Sequence, residues 1–125
     1  MKIAVITLPK APSAIGGEDQ VGQYLVEALE SIGHSCMLFY EHEAAIIKDY
    51  DFDLILSNNA ITSVACHRGP AVFWHFNERI TLANADKIKN LGYTHIASNQ
   101  PVHFFTDMES EALRKSGLPI LYLPL

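Results

Sequence analysis

Only two cysteines, Cys36 and Cys66, occur in the 125 residues, which is too few for a disulfide framework. Both stand in apolar stretches and read as reduced, buried thiols of a cytoplasmic protein. No run approaches the ~20 apolar residues of a membrane span. The apolar opening of "MKIAVITLP" stops at Pro9, short of the ~7–15 residues of a signal-peptide core, so it reads as a buried strand instead. Basic residues are scarce as well: Lys+Arg number 9 against Asp+Glu 14, a net charge of -5. No basic run and no basic–aromatic stripe appears, which excludes nucleic acid as the expected partner. The six histidines, His34, His42, His67, His75, His95 and His103, form no H-x3-H or Cys–His spacing suited to zinc, so no metal is expected. A G-x-G-x-x-G fingerprint and a G-K-[ST] phosphate loop are both missing, and there is no internal repeat, low-complexity tract or linker.

What remains is an alternation of short continuous apolar runs with helical periodicity, the pattern of a parallel α/β sheet covered on both faces. "KIAVITL", "SCMLFY", "DLILSN", "AVFWHF", "THIAS" and "PILYLPL" read as six strands. Between the first two, Val21, Tyr24, Leu25, Ala28, Leu29 and Ile32 repeat at three and four and mark one helical stripe, which Gly33 closes. A single turn is expected around Ala44 to Lys48. Ile80, Ala83, Ile88 and Leu91 mark a second helix ended by Gly92, and Thr106 with Glu109 forms the capping box of a third. The expected fold is a doubly wound, mostly parallel sheet of about six strands with helices on both faces, in one domain spanning residues 1–125.

Such sheets bind ligands at the carboxyl ends of their strands, beside the switch in strand order. The residues to consider are therefore Pro9 to Glu18, Glu41 to Glu43, Asn58 and Asn59, His75 to Arg79, and Ser98 to His103. Gly16 and Gly17 precede a helix, where free N–H groups and the helix dipole favour an anion; the same pair also serves as plain turn chemistry. His75 ends the fourth strand, either capping it or facing a ligand. Glu41, His42 and Glu43 are either a solvated loop or contacts to a ligand. Trp74 and Phe73 lie inside an apolar run and belong to the core.

In order and spacing, these pieces resemble the amino-terminal domain of retaining GT-B glycosyltransferases of the family 4-like group. The resemblance rests on "MKIAVITLPKAPSAIGGEDQVGQYLVEALESIGHSCMLFY", with Pro9, Pro12, Gly16, Gly17, Asp19, Gly33 and His34 at the matching places. It continues through "YDFDLILSN", "PAVFWHF", "YTHIASNQ" and "SGLPILYLPL". Three departures stand out: Asp19 replaces the usual Glu, Phe76 follows His75 where Asp or Gly is common, and no E-x7-E glutamate pair occurs before Leu125. The resemblance implies that Gly16 and Gly17 approach the donor phosphates or sugar, and that His75 is the catalytic-site histidine bonding a hydroxyl of the transferred sugar. Glu41, His42, Asn58, Asn59, Asn77, Glu78 and Arg79 are then candidates for acceptor contacts.

The implied activity is hexosyl transfer from a nucleotide sugar to an acceptor, with no cofactor or metal. This chain would supply the acceptor side of the cleft and be inactive alone. Its implied partners are the nucleotide sugar, the acceptor, and a carboxyl-terminal nucleotide-binding domain or partner subunit. The apolar surface such a partner would cover favours self-association. Two alternatives stay open: a non-catalytic binding subunit of a two-chain glycosyltransferase, and a flavodoxin-like ligand-binding domain. A phosphoacceptor receiver is disfavoured because Leu8, Pro9 and Lys10, then Ser57 and Asn58, stand where acids are needed.

Overall fold

The computed structural model describes residues 1–8, 17–58, 60–75 and 81–123. Six strands form one sheet: β1 (Lys2–Thr7), β2 (Ser35–Tyr40), β3 (Leu54–Asn58), β4 (Ala71–His75), β5 (His95–Ser98) and β6 (Ile120–Tyr122). Among the described residues three α-helices accompany them: α1 (Gly17–Ser31), α2 (Ala85–Asn90) and α3 (Asp107–Ser116). The order is β2-β1-β3-β4-β5-β6, and every neighbouring pair is parallel.

That order dictates where the helices lie. From β1 the chain moves outward to β2, then reverses past β1 to β3 and continues in one direction to β6. Right-handed crossovers taken in opposite directions land on opposite faces. Accordingly α1 covers one face, where Val21 and Leu25 pack with Leu54, Leu56, Val72, Trp74 and Ala97. The other face carries the larger core: Ala44 and Ile47 of the 3-10 helix Glu41–Asp49, Ala85 and Ile88 of α2, and Leu113 of α3 pack over Ala4, Ile6, Ile55, Phe73 and Ile96. The doubly wound α/β fold read from the sequence is the fold of the chain.

Local chemistry sets the element ends. Gly33 follows α1 with φ +98°, a conformation that side chains resist. Thr106 caps α3: its hydroxyl accepts from the Glu109 N–H at 3.2 Å while the Glu109 carboxylate accepts from the Thr106 N–H at 3.1 Å. Lys89 reaches across from α2 and donates to the Ser116 carbonyl at 2.8 Å, placing a cation at the negative end of α3.

Two expectations are corrected. Tyr24 and Ile32 are exposed, as is Ala28, because α1 does not rest on its most apolar stripe. With ~100° per residue, the face that meets the sheet is centred on Gly22, which is buried, and flanked by the half-buried Val21, Leu25, Val26 and Leu29. The cysteines are the second correction. Both are free, Cys66 is exposed and Cys36 is only half-buried. The apolar neighbours of Cys66 in sequence belong to an irregular segment between β3 and β4 that buries Val64 and leaves Cys66 outside.

Candidate functional site

Because all neighbouring strands are parallel, their carboxyl ends share one edge of the sheet. Across it the terminal residues run Tyr40, Thr7, Asn58, His75, Ser98 and Tyr122. The edge is unusual in what it buries. Thr7, Ser57, Asn58 and Ser98 are at most 1% exposed, and a polar group removed from water needs a hydrogen-bond partner to offset its desolvation.

Each has one. The Asn58 amide donates to the Thr7 hydroxyl at 3.1 Å, bridging β3 and β1, the two strands between which the winding direction switches. Above them α1 comes so close that a Cβ on Gly22 would meet Thr7 Cβ at 2.8 Å and Oγ1 at 2.9 Å. The missing side chain is what admits the helix. Ser57, one residue earlier on β3, projects to the opposite face and donates to the Ala60 carbonyl at 3.0 Å. The Tyr93 hydroxyl donates to the same carbonyl at 3.4 Å. The Ser98 hydroxyl accepts from the Gln100 N–H at 3.1 Å and so closes the turn after β5.

The predicted site residues separate into groups. His75 is half-buried at the end of β4, opposite Ser98 in the register. It shares the side of Ala71 and Phe73, which face the larger core, whereas Asn58 follows Leu54 and Leu56 onto the α1 side. Both residues stand on the rim, but they project to opposite faces. Asn58, read from sequence as a rim contact, is fully buried beneath α1. Glu41 and Glu43 sit in the first turn of the 3-10 helix rather than in a loop. Glu41 accepts from the Ile61 N–H at 3.3 Å, and Glu43 accepts from the Tyr40 N–H at 3.0 Å. Both carboxylates therefore anchor backbone. His42 is exposed, its ring parallel to that of Tyr40. Gly17 opens α1. Gly16, Asn59, Asn77, Glu78 and Arg79 lie outside the described residues.

Sequence reasoning missed Gly22, Thr7, Ser57 and Tyr93. Gly22 was visible only as a glycine inside a helix, a sign of close helix–strand approach. Tyr93 is 2% exposed and meets Phe73 edge-on, with ring centroids 5.2 Å apart. Burial pushes its phenol well above the ordinary tyrosine range, with the Ser57 hydroxyl opposing and Glu41 adding to the shift. It is a neutral donor at physiological pH. Among the described residues no group of three or more His, Cys, Asp or Glu side chains is placed to hold a metal ion, and no helix is long and apolar enough to cross a membrane. No protein-family model, curated protein or solved structure matches the chain.

Proposed function

We propose that this domain is the acceptor-side half of a glycosyl-transfer site, working at the carboxyl rim of the sheet. A single observation supports this reading most. Four of the five buried polar side chains among the described residues, Thr7, Ser57, Asn58 and Ser98, gather at the carboxyl ends of β1, β3 and β5, and only Ser116 lies elsewhere. This is the edge, and the switch point, at which open parallel sheets receive ligands. In this reading the Thr7–Asn58 bond and the close seat of Gly22 fix the start of α1, whose N–H groups face the phosphates of a nucleotide sugar. His75 bonds a sugar hydroxyl, and a second domain or subunit contributes the nucleotide pocket. The sequence resemblance supplies the substrate class.

The test is an amide and imidazole NMR titration of the chain with a panel of nucleoside diphosphate hexoses. Shifts centred on Thr7, His75 and Ser98, weakened in His75→Ala, are the expected result. Shifts centred on the outer groove between α2 and α3, or none at millimolar ligand, would overturn the reading.

A further inference from the structure

Next to the switch point, at the end of β2, two aromatic rings lie nearly parallel. Tyr40, the register partner of Thr7, and His42 have ring planes only 3° apart and centroids 6.1 Å apart. Parallel rings in full face-to-face contact sit ~3.5–4.0 Å apart. A 6.1 Å separation is too long for full face-to-face contact, so the two rings do not cover each other closely. Tyr40 is half-buried and His42 exposed. The acids flanking the histidine keep this short segment in place, because Glu41 holds the Ile61 N–H and Glu43 the Tyr40 N–H. The first turn of the 3-10 helix is thus tied to its own strand and to the segment after β3, which fixes the backbone that carries both rings.

From this geometry we infer that Tyr40 and His42 form a stacking shelf for the C–H face of a pyranose, an outlying sugar unit of the acceptor in the proposed reaction. An aromatic face is negative, and the axial C–H groups of a pyranose offer it a weakly positive, apolar surface. The imidazole nitrogens at the ring's edge can exchange hydrogen bonds with equatorial hydroxyls. The shelf lies at the end of β2, separated from β4 by β1 and β3, roughly 14 Å at the usual strand spacing, so the sugar it holds is a unit of the acceptor remote from the one that meets the donor. The inference rests on the glycosyl-transfer reading for the identity of its ligand, but the shelf itself is tested separately.

The probe is methyl β-D-glucopyranoside, whose ring hydrogens are all axial, followed by saturation-transfer and imidazole-proton NMR on the full chain. Saturation should pass from the aromatic protons to the sugar's ring hydrogens, and the His42 and Tyr40 ring signals should shift together. His42→Ala should weaken binding roughly fivefold to tenfold. His42→Phe, which keeps the plane and loses the nitrogens, should recover most of it. His42 is exposed, so both variants should keep the amide spectrum of the folded chain. Equal binding by wild type and His42→Ala would overturn the shelf, as would a preference for uridine or adenosine over the glycoside. Glycoside shifts confined to His75 and Ser98 would overturn the shelf and leave the glycosyl-transfer reading standing. Glycoside binding at His42 together with silence of His75 toward every nucleotide sugar would do the reverse.

Discussion

Asn58 and Thr7 are joined side chain to side chain, Nδ2 to Oγ1 at 3.1 Å, across the one boundary in the sheet where chain order reverses. Both are 0% exposed, so removing one partner deletes a bond that water cannot readily replace. Thr7→Val keeps the shape and deletes the acceptor, and is expected to cost about 1–3 kcal/mol, the loss of a buried side-chain hydrogen bond. Asn58→Leu should cost a similar amount. The double variant should recover part of the loss, because replacing both polar partners with apolar groups of similar shape is nearly neutral. Denaturant melts of the four proteins measure the coupling. Strictly additive losses would show that the two side chains do not act as a pair.

Gly22 permits the same junction from above. Alanine there would gain about 0.8–1 kcal/mol of helix propensity, and on an exposed helix face that gain would decide the sign. Here the added Cβ falls 2.8 Å from Thr7 Cβ and 3.0 Å from Cγ2. The obstacle is a fully buried, β-branched side chain with little room to turn. Overpacking of this kind costs about 1–3 kcal/mol, so Gly22→Ala should be net destabilising or at best neutral. A rise in thermal midpoint would mean that α1 can lift off β1 freely.

The strands were legible because buried parallel strands leave continuous apolar runs. "KIAVIT" and "AVFWH" became β1 and β4 with every residue after Lys2 and before His75 buried. Capping was legible too, since Thr106 and Glu109 use the spacing that the reciprocal bonds require. The seat of α1 was not. A stripe drawn through apolar side chains includes Tyr24 and Ala28 and omits Gly22, yet closest approach selects the residue with no side chain. At the site, the sequence placed His75 and Asn58 correctly at strand ends. It gave no sign that Ser57 and Asn58, adjacent and both polar, would each be buried on a different face with a separate partner, because that depends on which strand lies alongside.

A second glycine offers a sharper contrast. Gly92 has φ +103°, and a Cβ there would lie 2.7 Å from the Ala65 nitrogen and 2.8 Å from its Cα. Gly33 has a similar φ of +98° with nothing within 4 Å. Gly33→Ala should therefore show the backbone penalty alone, about 1–2 kcal/mol. Gly92→Ala should show that penalty plus a clash with main chain that cannot rotate away, a further ~1–3 kcal/mol. The Ala65 backbone belongs to the segment that runs from the rim back to β4, so the damage should extend to the Val64 amide, which donates to the Leu91 carbonyl at 2.7 Å. Faster hydrogen exchange at Val64 in Gly92→Ala, but not in Gly33→Ala, is the expected signature. Equal midpoints for the two variants would show the close approach to be unimportant.

Tyr93 makes the rim sensitive to alkali. Its phenol is buried, and the folded state holds it above the ordinary value of 10.0, first through desolvation and further through Glu41, against a lowering contribution from the Ser57 hydroxyl. Between the unfolded and folded values the native state retains a proton that the unfolded chain has released. Stability therefore falls as pH rises through that window. The contribution is complete below about pH 10 and declines above it, at up to about 1.4 kcal/mol per pH unit for one proton. Ionisation would also remove the donor that Tyr93 offers the Ala60 carbonyl. Tyr93→Phe loses one long hydrogen bond at neutral pH, which is expected to cost about 0.5–1.5 kcal/mol, but it has nothing to ionise. Stability measured by urea melts from pH 8 to pH 11 should decline more steeply in wild type than in Tyr93→Phe, with the curves converging as pH rises. Parallel curves across that range would mean that Tyr93 ionises without penalty, and that the phenol is not closed off from water beneath the segment after β3.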